Sequence, residues 1–205
     1  MPDVTTTGSC VAGFWSSSVI PWIVGFLTAM FAEPARNWLL RAKLRVSFKQ
    51  EEDCVARTPT GGGSDAVYIR LKVVNEKRRM ARSCRAFLVK VEKQTRPGVY
   101  ENTIYADSLQ LAWSCQARGE ERRPMDLIHG VSQYVDVIST VEINNTFEVH
   151  VAPMPLRYRP LFSAHAKTLR LTIQVSGDGV DPQLIRIVFA WKGNWEKADI
   201  YEDPL

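Results

Sequence analysis

From Val4 to Ala32 the chain carries no charged side chain, and Phe14–Ala32 (FWSSSVIPWIVGFLTAMFA) is mostly apolar. About 20 residues of helix cross the hydrocarbon core of a bilayer, so this run has the length of one membrane span. Ser16, Ser17, Ser18 and Pro21 weaken it. A span tolerates such residues near its ends, where backbone groups still find water or take a first helical turn. Trp15 and Trp38 bracket the stretch; in continuous helix they stand about 35 Å apart, a fair match to the two interfaces that Trp prefers. A cleavable secretory signal is the rival reading, and it expects a positive n-region and a small-x-small cleavage site. Here MPDVTTTGS holds Asp3 and no Lys or Arg, and Ala29-Met30-Phe31-Ala32 puts Met where a small residue is wanted. The other alternative is a buried core helix, which would need covering on every side because the run has no polar face.

The flanks orient the span. Arg36, Arg41, Lys43 and Arg45 follow it and no Lys or Arg precedes it. By the positive-inside rule the C-terminal side faces the cytoplasm, so the expected location is the inner membrane, single-pass. Glu33-Pro34 ends or kinks the span, because Pro lacks the amide donor. Trp38, Leu39, Leu40 and Leu44 among the basic residues suggest a short interfacial helix. The membrane-interface residues are therefore Trp15, Trp38, Arg36, Arg41 and Lys43. The organisation expected is 1–32 tail and transmembrane helix, 33–46 basic juxtamembrane segment, and 47–205 a β-domain.

Charge divides along that line. The 205 residues hold 26 Lys and Arg against 22 Asp and Glu. Four of the basic and two of the acidic residues lie in 1–46, so each segment carries +2. A nearly neutral β-domain does not read as a nucleic-acid binder. An apolar share of 45% and a charged share of 23% exclude a disordered chain.

Apolar and polar residues alternate along the second segment, the mark of half-buried strands. Strands are predicted at Lys43–Phe48, Val67–Val74, Cys84–Val91, Leu109–Trp113, Gln133–Ile143, Thr146–Val151, Leu169–Val175 and Leu184–Trp191. Val67, Ile69, Leu71 and Val73 share one face, and Leu169–Val175 alternates most clearly. Thr58–Asp65 reads as a loop, Arg96-Pro97-Gly98 as a hairpin connection, and Ser176–Pro182 as the link between the last two strands. Hints of helix are confined to Ser108 and the stretch near 160–167. Seven to nine strands with turns between them argue an antiparallel sandwich.

Val73-Val74-Asn75-Glu76-Lys77-Arg78-Arg79-Met80-Ala81-Arg82-Ser83-Cys84 resembles the strand-Asn-turn-Ala-strand signature of immunoglobulin-like sandwiches in bacterial proteins. In such domains Asn turns the chain and Ala sits close beneath the next strand. Together with the N-terminal span, Leu109–Trp113 and Trp191-Lys192-Gly193-Asn194-Trp195, it is similar to uncharacterised bacterial and prophage proteins with one membrane anchor. The similarity covers most of the chain. It implies a fold, mainly β with an immunoglobulin-like antiparallel sandwich after one transmembrane helix, and it carries no activity.

Cys10, Cys54, Cys84 and Cys115 form no C-x-x-C pair, and His129, His150 and His165 no H-x-x-H, so no metal and no cofactor is expected. With only Cys10 outside the cytoplasm, free thiols are expected, as buried strand cysteines. There is no G-x-x-x-x-G-K-[ST] phosphate loop and no G-x-S-x-G elbow. Glu51-Glu52-Asp53 and the pair Asp178 and Asp181 around Gly179 read as turns. The chain is not expected to be an enzyme.

Lys77, Arg78, Arg79, Arg82 and Arg85 fall within nine residues, opposed only by Glu76. Between two strands such a cluster suits anionic headgroups, or a phosphorylated or nucleotide ligand. The ordinary alternative is a solvated loop that protects a sheet edge. Arg157 and Arg159 in PLRYRPLF form a weaker second candidate, where Tyr158 and Phe162 are expected to cover the core. Two functions follow. One is a non-enzymatic binding or adaptor domain at the cytoplasmic face of a bacterial membrane, with the bilayer and a protein or second copy as partners. The alternative is a membrane-acting effector in phage defence or exclusion, whose sandwich senses a signal or oligomerises.

Overall fold

The alternating segments pair into two antiparallel sheets that bury their apolar faces against each other. The computed structural model describes residues 41–50, 53–59, 63–116, 120, 122–151, 153–162 and 167–205, together with 25, 26 and 32. The chain divides into two compact units, Met1–Arg41 and Ala42–Leu205. In the first, Gly25, Phe26 and Ala32 are helical. The remainder of the expected span, with Trp15, Arg36 and Trp38, lies outside the described residues. Among the described residues no helix is long and apolar enough to cross a membrane.

In the second unit the strands are β1 (Leu44–Ser47), β2 (Val55–Pro59), β3 (Asp65–Asn75), β4 (Ala81–Arg96), β5 (Val99–Asn102), β6 (Leu109–Gln110) and β7 (Ala112–Trp113). They continue with β8 (Met125–Leu127), β9 (Ser132–Val141), β10 (Thr146–Val149), β11 (Lys167–Asp178), β12 (Val180–Trp191) and β13 (Asp199–Asp203). A 3-10 turn, Leu156–Phe162, follows β10. One sheet has the order β1-β3-β9-β10, with β2 also on β3 and β7 also on β9. The other has the order β13-β12-β11-β4-β5, with β6 and β8 also on β4. Leu44, read both in a short interfacial helix and in the Lys43–Phe48 strand, is a buried residue of β1 paired with Asn75, so the strand reading holds and the helix does not.

Strand number exceeds the expected seven to nine, and the additions share a cause. β2, β5, β8 and β13 each pair with a single neighbour. Edge strands bury little, so VARTP, VYEN, MDL and DIYED show no alternation to read. Thr58 and Pro59 thus belong to β2 and Asp65 to β3, within the segment expected to be a loop. β9 stops at Val141, two residues before the expected Ile143. Glu142–Asn145 turns there, with Asn145 at φ 45° and its amide donating to Glu142 O at 3.0 Å.

The core lies between the sheets. Leu169, Leu171, Ile173 and Val175 of β11 are buried, as their alternation predicts, in one core with Ile69, Leu71 and Val73 of β3. Val67 departs from that set and is half-exposed. Phe147 of β10 meets Phe189 and Trp191 of β12, ring centres 5.0 and 5.3 Å apart, and so joins the sheets at one edge. Tyr158 and Phe162 of the 3-10 turn are buried, as expected. The Tyr158 hydroxyl donates to Asp107 Oδ2 at 2.8 Å.

Candidate functional site

Sheet register places four chain segments at one end of the sandwich. They are the start of β1 at Ala42–Leu44, the β3–β4 turn, the β8–β9 connection and the β11–β12 hairpin. Ala42 bridges Val180 beside the hairpin, and Glu76 N donates to Lys43 O at 2.8 Å. The chain therefore enters the sandwich at the same end as the basic turn.

Asn75 organises that end. It is fully buried. Its side-chain amide donates to Arg79 O at 2.7 Å and to Leu127 O at 3.0 Å, and its Oδ1 accepts from Lys77 N at 3.2 Å. Gly130 N donates to the Asn75 carbonyl at 3.0 Å. One side chain thus closes the basic turn and ties it to the neighbouring loop. Asn suits this role because it offers donors and an acceptor in one short side chain. Ala81, expected to sit close beneath a strand, is fully buried opposite Leu127.

A bulge sets the arginines. Between Ala81 and Cys84, β4 advances three residues while β8 advances two, and the same extra residue appears against β11 between Arg82 and Arg85. Ser83 takes up the irregularity at φ 51°, with its amide donating to Asp126 Oδ1 at 2.9 Å. In an unbroken strand, positions 82 and 85 would point to opposite faces. With the bulge, Ala81 and Cys84 are both buried while Arg82 and Arg85 are both exposed.

Lys77, Arg78 and Arg79 are exposed as well. Among the described residues no ion pair involves the side chains of these five residues. Glu76 turns instead to Lys43 at 3.2 Å and Arg45 at 3.7 Å. Six cations (Lys43, Arg45, Lys77, Arg78, Arg79 and Arg82) thus share this end with four carboxylates (Glu76, Asp126, Asp178 and Asp181), a local +2. Residues 42–205 hold 24 basic and 20 acidic side chains, a net +4. Half of the unit's excess charge is at this end, with Arg85 further along the outer face of β4.

Sequence reasoning missed the apolar residues here. Ile128 is 62% exposed, Val131 44% and Met80 38%. Ile128 and Val131 belong to the loop that Asn75 ties to the basic turn, so cations and apolar side chains share one surface. Ile128-His129-Gly130-Val131 has no pattern of its own, and only the Asn75 bonds reveal the neighbourhood. Of the interface residues expected from sequence, Lys43 lies at this end, paired with Glu76. Arg41 is exposed immediately before Ala42.

The second candidate is occupied. Arg157 pairs with Asp107 and lies 4.7 Å over the Tyr158 ring. Arg159 instead lines a cleft of about 400 Å³ with Phe147, Glu148, Val149, Met154 and Phe162.

Cys54, Cys84 and Cys115 form no disulfide with one another. Burial, with Asp126 and Asp178 adding, pushes the Cys84 thiol up to about 12, so it stays protonated at neutral pH. Only Cys84 is the expected buried strand cysteine. Cys54 is buried just before β2 and Cys115 is exposed in a turn. Among the described residues no three His, Cys, Asp or Glu side chains gather to hold a metal ion.

No family model and no curated protein matches the chain.

Proposed function

We propose that the protein is a membrane-anchored, non-enzymatic binding or adaptor domain, an immunoglobulin-like sandwich held at the cytoplasmic face of a bacterial membrane. The observation that carries this reading is the shared end. The chain enters the sandwich at Ala42, beside the basic turn, nine residues after a charge-free run long enough to span a bilayer. An anchor before Ala42 brings that end towards the cytoplasmic leaflet, where anionic lipid attracts basic side chains. The far loops and free strand edges stay available for a partner. The Asn75 turn and the buried Ala81 support the immunoglobulin-like assignment.

Fractionation tests the anchor. The full chain should stay with membranes through alkaline carbonate extraction, and deletion of residues 1–32 should release it. Dye-loaded vesicles containing the full chain should remain sealed. Release of the intact chain by carbonate contradicts anchoring. Dye leakage that depends on residues 1–32 favours the effector instead.

A further inference from the structure

We infer that the basic end of the sandwich docks directly on an anionic lipid surface, with Lys77, Arg78, Arg79 and Arg82 on the headgroups and Ile128 and Val131 at the acyl boundary. The inference rests on the anchored reading and adds to it an oriented contact. Three observations favour a lipid surface over a small anion. All four cations are exposed, three on a turn and one on a bulged strand, so they suit a plane of charges. Exposed apolar side chains stand beside them on a loop fixed through Asn75, and a free phosphate has no use for these. The chain preceding Ala42 limits the reach: ten steps separate Ala32 from Ala42, a contour of at most about 35 Å.

Tethering raises the effective concentration of headgroups at this end, so weak individual contacts suffice. Each basic side chain near an anionic surface multiplies affinity by about fivefold. Three or four acting together then hold the domain against the leaflet, provided salt does not screen them.

Amide exchange of the full chain in lipid nanodiscs tests this. In discs containing anionic phosphatidylglycerol, amides of residues 76–80 and 128–131 should exchange at least about fivefold more slowly than in zwitterionic discs. Those of the opposite turn, 142–145, should not change. About 1 M salt, which shortens the screening length to about 3 Å, should remove the protection. So should the triple substitution Lys77→Ser, Arg78→Ser, Arg79→Ser. Its positions are exposed, so the fold should persist, which unchanged exchange in β11 would show. Ile128→Ser with Val131→Ser should weaken the protection at unchanged charge.

Equal exchange in both kinds of disc, with the chain still in the disc, overturns the inference and leaves the anchor standing. Loss of the chain from the disc overturns both. The same protection in zwitterionic discs on adding inorganic phosphate overturns the lipid assignment in favour of a free-anion site.

Discussion

Asn75 does more for this end of the molecule than any charged residue. Its side chain is fully buried and makes three hydrogen bonds, one buried and two partly so, that join two loops. Removing them strands a backbone amide and two carbonyls, each costly to leave unmatched. Asn75→Ala should lower the unfolding free energy by about 2–4 kcal/mol, read from denaturant unfolding of the detergent-solubilised chain. A loss below about 0.5 kcal/mol would show that the loops do not depend on it. Gly177 is a second such position. A Cβ there would lie 2.7 Å from Arg82 O and 2.8 Å from Cys84 Sγ. Gly177→Ala should therefore cost about 1–3 kcal/mol through overpacking, and it should disturb the bulge that presents Arg82. Asn75 was legible within its own turn, where its bonds to Lys77 and Arg79 are local; its bond to Leu127 was not. The close approach of Gly177 to β4 was not, because it depends on two strands ninety residues apart in sequence.

At the scale of elements, what sequence shows is what burial writes into it. β3 and β11 bury one face in near alternation, and runs of buried residues, Val137–Thr140 and Ile187–Phe189, mark β9 and β12 through their β-branched and apolar content. Edge strands lack that signal. β4 alternates poorly because its register against β11 shifts twice, once at Ser83 and once at Val89, where Lys90 pairs with Thr172 but Leu88 already pairs with Ile173. The basic cluster was legible as composition. That Arg82 and Arg85 share the exposed side follows from the bulge, and that the cluster adjoins Ile128 follows from a contact between distant turns.

The outer face of the second sheet is held differently. Arg170 of β11 donates from Nε to Glu92 Oε2 of β4 at 2.8 Å, approaches Asp203 of β13 at 3.4 Å, and lies 4.1 Å over the Tyr100 ring of β5. The Arg170 hydrogen bond holds the Glu92 carboxyl down at about 2, with Lys90 helping, against an ordinary 4.5. A depressed carboxyl stabilises the fold fully above the unfolded value and loses that contribution as pH falls through the folded one. Stability should thus decline between pH 4.5 and about 2, by on the order of 3 kcal/mol from this group. Glu92→Gln should be less stable at neutral pH and should flatten the decline in that window. An unchanged acid profile in the variant would show that other carboxylates dominate it.

For the whole molecule, a net charge of +4 describes little until it is placed. Four basic residues follow the charge-free run, two of them, Lys43 and Arg45, already within the second unit, and half of the excess charge of residues 42–205 gathers where the chain enters the sandwich. Both placements point to the same side of a membrane, since cytoplasmic flanks carry Lys and Arg and the cytoplasmic leaflet carries the anionic lipid. Composition alone excluded a disordered chain, but the polarity of the sandwich needed the sheet order. The account therefore stands on the domain being cytoplasmic. Paired C-terminal fusions measure this most directly, one to a fluorescent protein that matures only in the cytoplasm and one to a phosphatase active only in the periplasm. The account predicts bright fluorescence and an inactive phosphatase. An active phosphatase with a dark fluorescent fusion would contradict it.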